Sequence, residues 1–490
     1  MSVLAIDAGT TGVTALLVAP DGGVVARGYR EFPQHFPRPG WVEHDPEQIW
    51  QAVLAACREA VEAGPHPPVA VGITNQRETA VVWDRGSLAA PRPAVVWQDR
   101  RSTDVCRGLQ EAGHEARVAQ LTGLRLDPYF TATKLAWLAE HDPATWSGVR
   151  DGRFALGTVD SYLVARLTAG RVHATDPSNA SRTLLYGLEA NDWSDELLDL
   201  FGVPRAALPQ IRPSSGDFGR TDPEAFLGLD LPIAGVAGDQ QAALFGQACF
   251  TEGRSKCTYG TGSFVLVNTG RTIARSPAGL LTTVAWDLGD GPRYALEGAI
   301  FATGAAVQWL RDGLRIIDAA ADSDALARSV PDSGGVVFVP ALTGLGAPHW
   351  DPEARGTLFG LTRGTTRAHV VRATLEAIAY QVRDVVDVMV RDAGLPVPEL
   401  TVDGGAAAND LLCGLQATTL QIPVSRPKML ETTGLGAAFL AGLATGVWGS
   451  TDELGQTWQL DRRFDPGAPE DAGYRRWQAA VRRAGGWARS

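Results

Sequence analysis

A short apolar strand that runs into a glycine and threonine turn occurs twice in this chain, and this repeat constrains the fold more than any other feature. Near the N-terminus, Val3–Ile6 leads into Asp7-Ala-Gly-Thr-Thr-Gly12. In the second half, Tyr259-Gly-Thr-Gly-Ser-Phe264 lies between two further apolar stretches. The two turns are roughly 250 residues apart, which is about one domain length. We therefore predict two similar domains, residues 1–245 and residues 246–490.

The surrounding pattern is that of an α/β protein. Two more strands, Thr14–Ala19 and Val24–Phe32, follow the first turn and complete an antiparallel meander. Asp45-Pro46 then begins a helix with Asp45 as its N-cap, because apolar residues recur at helical spacing after it. Helices and strands alternate from there on, which indicates an α/β fold.

The composition is that of an ordinary globular protein. Of the 490 residues, 45% are hydrophobic and 20% are charged, and 55 acidic against 44 basic side chains give a net charge of −11. We therefore expect no nucleic-acid partner, since nucleic acids are bound by basic surfaces. No basic signal-peptide start and no apolar run of spanning length is present, so we expect a cytoplasmic protein without membrane insertion.

Several frequent catalytic motifs are absent. The chain has no glycine–lysine pair of a P-loop, no GxGxxG dinucleotide fingerprint and no GxSxG nucleophile elbow. The five cysteines form no CxxC pair and the histidines lack metal-ligand spacing, so neither a disulfide framework nor a zinc site is indicated. These absences leave nucleotide binding by other folds open.

The two glycine and threonine turns allow two interpretations. Backbone amides and threonine hydroxyls in such turns can hold phosphate oxygens, and a carboxylate such as Asp7 at a strand end can hold Mg²⁺ through water. The same residues also make an ordinary tight β-turn that binds nothing. Two facing turns could clamp a polyphosphate, so the repeat brings the two interpretations close to even.

Asp239 also has two interpretations. It follows the apolar stretch Ile233–Ala237 and precedes Gln240–Gln247, which has a helical pattern. A carboxylate fixed at a strand end can act as a general base that accepts a proton from a substrate. An aspartate at the start of a helix is most often an N-cap, however, and its position alone favours the cap.

Three further groups have both a binding and a structural interpretation. Arg77 and the adjacent Glu78 offer donors and acceptors suited to a polyol, although most neighbouring Arg–Glu pairs are simply solvated. Asp403-Gly-Gly-Ala-Ala-Ala-Asn409 removes side chains from a strand–helix junction, which suits either an adenine ring or close helix packing. Three aromatic residues either wall a small pocket or belong to the core, namely Trp97, Tyr129 and Phe264.

Taken together, these segments resemble the FGGY carbohydrate-kinase family, and in particular its glycerol-phosphorylating members. The resemblance runs from Asp7 to about Trp448 and includes two family signatures, at Tyr129–His141 and at Gly356–Glu376. The segments most similar to the glycerol-phosphorylating members are Pro39–Pro46, Gly72–Thr79, Asp127–Phe130 and Gly238–Gln247.

The resemblance implies a fold, a reaction and a set of site residues. The fold would be α/β, with two actin-like (ribonuclease H-like) ATPase domains and the active site in the cleft between them. The reaction would be phosphorylation of glycerol by ATP to sn-glycerol 3-phosphate, with Mg²⁺, in a homodimer or homotetramer. Asp239 would be the general base, and glycerol would be held by Arg77, Glu78, Trp97, Tyr129, Asp239, Gln240 and Phe264. The nucleotide would contact Thr10, Thr11, Gly12, Thr261, Gly304, Gln308, Gly405 and Asn409, and the metal would lie near Asp7 and Asp239.

One departure from the family concerns the nucleotide. Many members have two serines and an arginine in the first phosphate loop, where this chain has Gly12, Val13 and Thr14. The guanidinium contact to the nucleotide phosphates is therefore missing. We expect this difference to affect the affinity for the nucleotide and not the reaction.

Two rival hypotheses remain. The first is a kinase of the same family that acts on another polyol or a ketose, which would differ around Arg77-Glu78 and Tyr129-Phe130. The second is a non-catalytic, actin-like protein that binds or senses a nucleotide. The loss of Asp7 or Asp239 would favour this second hypothesis, and both residues are present, which disfavours it.

Overall fold

The computed structural model of this chain describes residues 1–469 and 471–489. The strands, in chain order, are β1 Val3–Ala8, β2 Gly12–Val18, β3 Val24–Glu31, β4 Glu43–His44, β5 Ala70–Asn75, β6 Val81–Asp84, β7 Ala94–Val95, β8 Phe154–Gly157, β9 Ala174–Thr175, β10 Tyr186–Gly187, β11 Asp192–Trp193, β12 Gln210–Ile211, β13 Ile233–Gly238, β14 Ser255–Tyr259, β15 Ser263–Gly270, β16 Leu281–Asp287, β17 Pro292–Ile300, β18 Val337–Val339, β19 Thr357–Phe359, β20 Leu400–Asp403, β21 Val424–Pro427 and β22 Leu460–Phe464.

The α-helices are interspersed among these strands along the chain. In chain order they are α1 Pro46–Ala63, α2 Thr103–Glu111, α3 Glu115–Thr122, α4 Thr131–His141, α5 Pro143–Arg150, α6 Val159–Leu167, α7 Pro177–Ala180, α8 Asp195–Phe201, α9 Asp239–Gly246, α10 Gly304–Gln308, α11 Asp322–Arg328, α12 Arg367–Ala393, α13 Asp410–Leu420, α14 Thr432–Thr445, α15 Thr451–Thr457 and α16 Asp471–Ala484.

The first half is built on a five-stranded sheet in the order β13-β5-β1-β2-β3. The strands β13, β5 and β1 run parallel, whereas β2 and β3 continue from β1 as an antiparallel meander. Both faces of β5 and β13 are buried, which explains their almost unbroken apolar sequences. The carboxyl ends of the three parallel strands meet at one edge, so Asp7, Gln76 and Asp239 all lie near that edge.

The second half repeats this arrangement in a seven-stranded sheet, in the order β16-β17-β15-β14-β20-β21-β22. The strands β14, β20 and β21 run parallel, and β15, β17 and β16 form the antiparallel meander. The turn at residues 260–262 joins β14 to β15, in the position that residues 9–11 occupy between β1 and β2. The repeat predicted from the two glycine and threonine turns is therefore present in the fold.

Two helices, α9 and α14, pack closely against each other beside the first sheet. Glycines permit this approach, since a β-carbon at Gly436 would lie 1.8 Å from the carbonyl oxygen of Ala242. Likewise, a β-carbon at Gly246 would lie 2.0 Å from the carbonyl oxygen of Thr432. Because α14 also covers β13, β5 and β1, the second half of the chain contributes a helix to the core of the first.

The local predictions hold in most places. Three strands form the N-terminal meander, and Asp45 caps α1 by accepting a hydrogen bond from the backbone amide of Glu47 at 2.9 Å. The predicted helix after Ala237 and the predicted strand before Asp403 are both present. All five cysteines are buried and unpaired. In the described part of the chain, no helix is long and apolar enough to cross a membrane.

Candidate functional site

Arg77 and Glu78 lie in the polar turn between β5 and β6, at the edge of the first sheet. Glu78 has a φ of 61°, a left-handed backbone conformation that is strained for a residue other than glycine. The turn is held by the Thr131 hydroxyl, which donates to the Glu78 carbonyl oxygen at 3.1 Å. Both charged side chains are almost completely buried, with Arg77 only 2% exposed. Buried charges require charged or hydrogen-bonding partners, and these two have them.

The guanidinium of Arg77 is the centre of the candidate site. Its two terminal nitrogens donate to the two carboxylate oxygens of Glu297 at 2.5 and 3.0 Å. They also donate to the amide oxygen of Gln241 at 3.1 Å and to the Tyr129 hydroxyl at 3.3 Å. The remaining nitrogen, Nε, lies 3.2 Å from Oδ1 of Asp239. Arg77 therefore joins the turn after β5 to α9 and to the second sheet.

Asp239 is the first residue of α9, directly after β13, and it is not the helix N-cap. Gly238 occupies the N-cap position without a side-chain hydrogen bond. Oδ1 of Asp239 accepts the adjacent Gln240 amide at 2.7 Å and lies 3.2 Å from Nε of Arg77. The capping interpretation that position favoured is thus wrong, because Asp239 is already helical and Gly238 occupies the cap position. The Asp239 side chain remains 28% exposed, so a small molecule can reach it.

The electrostatics of Asp239 suit a group that accepts a proton. Burial raises the pKa of its carboxyl above the ordinary value, whereas the positive charges of Arg77 and Lys256 oppose that rise. A carboxylate with a raised pKa is a stronger base than one in water. The two cations oppose the effect of burial, so the pKa of Asp239 depends on Arg77 and Lys256 as well as on its exclusion from solvent.

Asp7 provides a second carboxylate at the same edge of the first sheet. It lies one residue before the end of β1 and is partly exposed. Burial raises the pKa of Asp7 to about 8, and the carboxylates of Asp239 and Glu431 act in the same direction. Asp7 and Asp239 therefore lie within electrostatic range of each other. Among the described residues, no cluster of three or more Asp, Glu, His or Cys side chains is arranged around a common point.

Aromatic rings border this group of charges. Trp97 and Tyr129 meet edge to face with their ring centroids 5.6 Å apart. The guanidinium of Arg77 lies over the ring of Phe264 at 5.8 Å. The indole nitrogen of Trp97 donates to the Thr10 hydroxyl at 3.0 Å, which connects the aromatic wall to the first glycine and threonine turn. The three predicted aromatic residues thus lie around one site and are not spread through the core.

The first glycine and threonine turn is open to solvent. The Gly9 amide donates to the Gly12 carbonyl oxygen at 3.0 Å, so the turn closes tightly. Thr10 is partly exposed and Thr11 is exposed. Gly12 itself is buried, and a β-carbon there would lie 2.8 Å from the carbonyl oxygen of Arg30. Thr10 and Thr11 can therefore reach a ligand, whereas Gly12 serves to let β2 pair with β3.

The second turn contacts the short helix α10. The Gly304 amide donates to the Gly260 carbonyl oxygen at 3.0 Å, and the Ala305 amide donates to the Thr261 carbonyl oxygen at 3.0 Å. A β-carbon at Gly304 would lie 2.6 Å from the Gly260 oxygen, so only glycine fits. Gln308 ends the same helix with an exposed side chain. Thr261, Gly304 and Gln308 are thus brought together.

Gly405 and Asn409 lie at the junction between β20 and α13. Gly405 is exposed, and a β-carbon there would meet no atom within 4 Å. Asn409 caps α13 by accepting the Leu412 amide at 2.9 Å, and its Nδ2 donates to the Ser323 hydroxyl at 3.1 Å. The backbone at Gly405 is therefore accessible to a flat ligand, while the Asn409 side chain also has a structural role.

Sequence reasoning missed three buried charged residues of this site, Glu297, Arg182 and Lys256, all with no exposed surface. The Arg182 guanidinium donates to Glu78 at 2.7 Å and to Glu297 at 3.0 Å. The Lys256 ammonium donates to the Gln240 amide oxygen at 2.5 Å. A charged residue inside an apolar strand, such as Glu297 in β17, was the available signal, because burial requires a partner.

The chain is similar to known proteins over nearly its whole length. Residues 2–246 match the N-terminal domain and residues 255–445 the C-terminal domain of the FGGY family of carbohydrate kinases. A glycerol kinase of Acidovorax sp. (strain JS42) is 54% identical over 98% of this chain and 99% of that protein. Glycerol kinase 2 of Thermotoga maritima is 52% identical over 99% of both.

Solved kinase structures share this fold over nearly the whole chain. The structure of Plasmodium falciparum glycerol kinase with ADP superposes with a TM-score of 0.92 at 33% identity, covering 99% of this chain and 98% of that one. A xylulose kinase from Rhodospirillum rubrum superposes with a TM-score of 0.86 at 27% identity, covering 99% of both chains. The fold is therefore shared with kinases of different sugars and polyols.

Proposed function

The chain belongs to the FGGY family of carbohydrate kinases, and we propose that it transfers the γ-phosphoryl group of ATP to glycerol, forming ADP and sn-glycerol 3-phosphate. One observation carries the choice of substrate: the relatives that match nearly the full length at 52–54% identity are named glycerol kinase. The use of ATP accords with the kinase family and with the ADP in the Plasmodium falciparum structure. The site described above is consistent with a small polyol.

Glycerol suits the group of residues around Arg77. The substrate is small and carries a hydroxyl on every carbon, so recognition depends on paired donors and acceptors, each worth about 1–3 kcal/mol when left unpaired. Charged and amide groups would bind the hydroxyls, while Trp97 and Phe264 would cover the carbon skeleton. The proposed glycerol-binding residues are Arg77, Glu78, Trp97, Tyr129, Asp239, Gln240 and Phe264.

Asp239 is the proposed general base. Its carboxylate would accept the proton of the attacking hydroxyl as the hydroxyl oxygen bonds to the γ-phosphorus and the bond to the ADP oxygen breaks. Phosphoryl transfer has a loose transition state, so positioning and charge neutralisation carry most of the catalysis. Arg77, whose Nε lies 3.2 Å from Oδ1 of Asp239, would orient the carboxylate and favours its charged form. A positioned base of this kind contributes about 10²–10⁴-fold to the rate.

The nucleotide would lie between the two glycine and threonine turns. The proposed contacts are Thr10, Thr11, Gly12, Thr261, Gly304, Gln308, Gly405 and Asn409. Thr14 stands where many relatives have arginine, so we expect a weaker hold on the phosphates. The exposure of Thr11, the partial exposure of Thr10 and the open backbone at Gly405 support this placement.

Magnesium fits the carboxylates of Asp7 and Asp239, which are its proposed ligands. Both are oxygen donors, both are accessible, and Asp7 has a pKa raised to about 8 by burial and by neighbouring carboxylates. A divalent cation would relieve that repulsion, and Mg²⁺ prefers such ligands. Bound there, the ion would neutralise charge on the phosphates during transfer.

We also propose a domain division near residue 245 and a homodimeric or homotetrameric assembly. The family ranges 2–246 and 255–445 support a boundary close to residue 245, although α14 packs on the first sheet. A homodimer or homotetramer and a cytoplasmic location follow from the resemblance to the family and from the sequence. Size-exclusion chromatography with light scattering would measure the assembly state directly.

The test is the rate of ADP release with Mg-ATP and a panel of acceptors: glycerol, dihydroxyacetone, erythritol, xylulose, ribulose and gluconate. We expect kcat/KM to be highest for glycerol and much lower for the five-carbon sugars. A preference for xylulose or ribulose would contradict the proposed substrate and retain the family. ATP binding without turnover of any acceptor would instead favour a regulatory protein.

A further inference from the structure

Glu297 connects the second sheet to the proposed glycerol pocket. It lies in β17, and its carboxylate is completely buried. One carboxylate oxygen accepts a terminal nitrogen of Arg77 at 2.5 Å, and the other accepts Arg77 and Arg182, both at 3.0 Å. Both arginines belong to the first half of the chain. A single carboxylate of the second half thus holds two guanidiniums of the first.

These groups form a closed ring of four buried charges. Arg182 joins Glu297 to Glu78, whose Oε1 lies 2.7 Å from Nε of Arg182 and 3.7 Å from Nε of Arg77. The ring holds two positive and two negative charges, so it is neutral before Asp239 is counted. Burial alone would raise the pKa of Glu297, but Arg182 and Arg77 outweigh it and hold the pKa at about 2. The carboxylate therefore stays ionised.

The ring fixes more than the position of one arginine. A bidentate pair sets the plane of a guanidinium as well as its location. With both terminal nitrogens of Arg77 on Glu297, its Nε edge faces Asp239 at 3.2 Å. Arg182 in turn lies over the ring of Tyr129 at 5.6 Å and over that of Phe130 at 5.3 Å. The geometry of the base and of Tyr129 thus depends on Glu297.

We propose that Glu297 is a positioning residue of the glycerol site, which orients Arg77 toward Asp239 and Tyr129 without touching the substrate. The inference rests on the proposed function. It assigns Glu297 a role beyond stability, since buried ion pairs are weak contributors to stability when replaced as a whole. It also makes the glycerol pocket dependent on β17 of the second half.

The test is the kinetics of Glu297→Gln, which keeps the shape of the side chain and removes its charge. We expect the KM for glycerol to rise roughly 10- to 100-fold, the range for lost hydrogen bonds to a charged group. The kcat falls as well, because Arg77 no longer holds Asp239 in place. The KM for ATP should rise much less than the KM for glycerol, since in the described part of the chain the four ring residues make no hydrogen bond to either glycine and threonine turn.

A matched control separates positioning from folding. Glu399→Gln removes another carboxylate of the second half. Glu399 accepts a hydrogen bond from Arg254 at 2.9 Å and is not part of the site. It should lower the melting temperature without changing the KM for glycerol. If Glu297→Gln folds and melts at a lower temperature than the wild type, but keeps the wild-type KM for glycerol, the inference is overturned.

A second variant covers the case in which Glu297→Gln does not fold. Glu297→Asp keeps the charge but is one methylene shorter, so its carboxylate cannot hold both guanidiniums in place. It should raise the KM for glycerol in the same direction, and an unchanged KM would overturn the inference. Failure of the wild type itself to phosphorylate glycerol would instead overturn the proposed function, so the two failures are distinguishable.

Discussion

The substitution Asp239→Asn is expected to remove most of the turnover and to leave glycerol binding nearly intact. Asparagine has the shape of aspartate and retains an oxygen that can accept the Gln240 amide at the start of α9. It cannot accept a proton at neutral pH. The change therefore isolates proton transfer from the geometry of the site.

The size of the effect follows from the proposed role of Asp239 as a general base. Loss of a positioned general base lowers kcat by about 10²–10⁴-fold, which corresponds to roughly 3–5.5 kcal/mol of transition-state stabilisation. The cost to folding is small, because Arg77 keeps Glu297 at 2.5 Å and Gln241 at 3.1 Å after Asp239 loses its charge. We expect a stability change within about 1 kcal/mol and a glycerol Kd within about threefold of the wild type.

The assay combines ADP release under saturating substrates with calorimetric measurement of glycerol binding. Asp195→Asn is the matched control, since Asp195 also begins a helix and also pairs with an arginine, Arg205, at 2.9 Å. The control should keep wild-type kcat and Kd. A kcat for Asp239→Asn within tenfold of the wild type, with binding preserved, would refute the assignment of Asp239 as the base.

Three other perturbations test separate parts of the site. Lys256→Met removes the cation that donates to the Gln240 amide oxygen, so the KM for glycerol should rise about tenfold. The same cation lowers the pKa of Asp239, the proposed base, so without it the acid limb of the kcat/KM profile should move to higher pH. An unmoved acid limb would show that Lys256 does not act on Asp239. Trp97→Phe removes the hydrogen bond to the Thr10 hydroxyl, so steady-state kinetics should show the KM for both ATP and glycerol raised by roughly 2- to 10-fold. Unchanged KM values would mean that the bond does not support either site. Burial raises the pKa of Asp160 to about 7, so the folded state keeps a proton that the unfolded state releases near pH 4. The free energy of unfolding should therefore fall as pH rises from about 4 to about 7, by at most about 4 kcal/mol. The melting temperature of Asp160→Asn should therefore rise relative to that of the wild type across that pH interval. A constant difference between the two melting temperatures would contradict this.

The architecture was accessible from the sequence because its signals are local. Strands that end in a glycine and threonine turn, an Asp-Pro helix start and apolar stretches of strand length all act within a few residues. The repeat of the turn at residues 260–262 then indicated a second, similar sheet. Even the polar turn at Arg77-Glu78 was visible as an interruption between two strands.

The partners of these residues were not accessible, because they depend on tertiary contacts. Glu297 lies 220 residues from Arg77 in the chain, and no pattern in the sequence around Glu297 predicts that the two residues pair. For Asp239, a local rule gave a wrong prediction, because an aspartate at the start of a helix is usually its N-cap. The strand β13 runs on to Gly238, and the carboxylate is turned toward Arg77 instead. Local propensity yields to tertiary structure at such sites.

The packing of α14 was likewise beyond local reasoning. Its sequence is almost entirely apolar or small, which indicates burial without saying against what. The structure places α14 against α9 and the first sheet, with Gly436 in contact with the backbone of Ala242. A domain division drawn along the chain therefore does not describe the core of the first half completely.

The most direct test of the central claim is to follow the wild-type protein with Mg-ATP and glycerol by phosphorus-31 nuclear magnetic resonance. Our account predicts a new phosphomonoester signal of glycerol phosphate that grows in equal amount with ADP and stops when glycerol is exhausted. Inorganic phosphate growing in equal amount with ADP would show hydrolysis of ATP to water. That result, or the absence of any ADP, would contradict transfer to glycerol by this site.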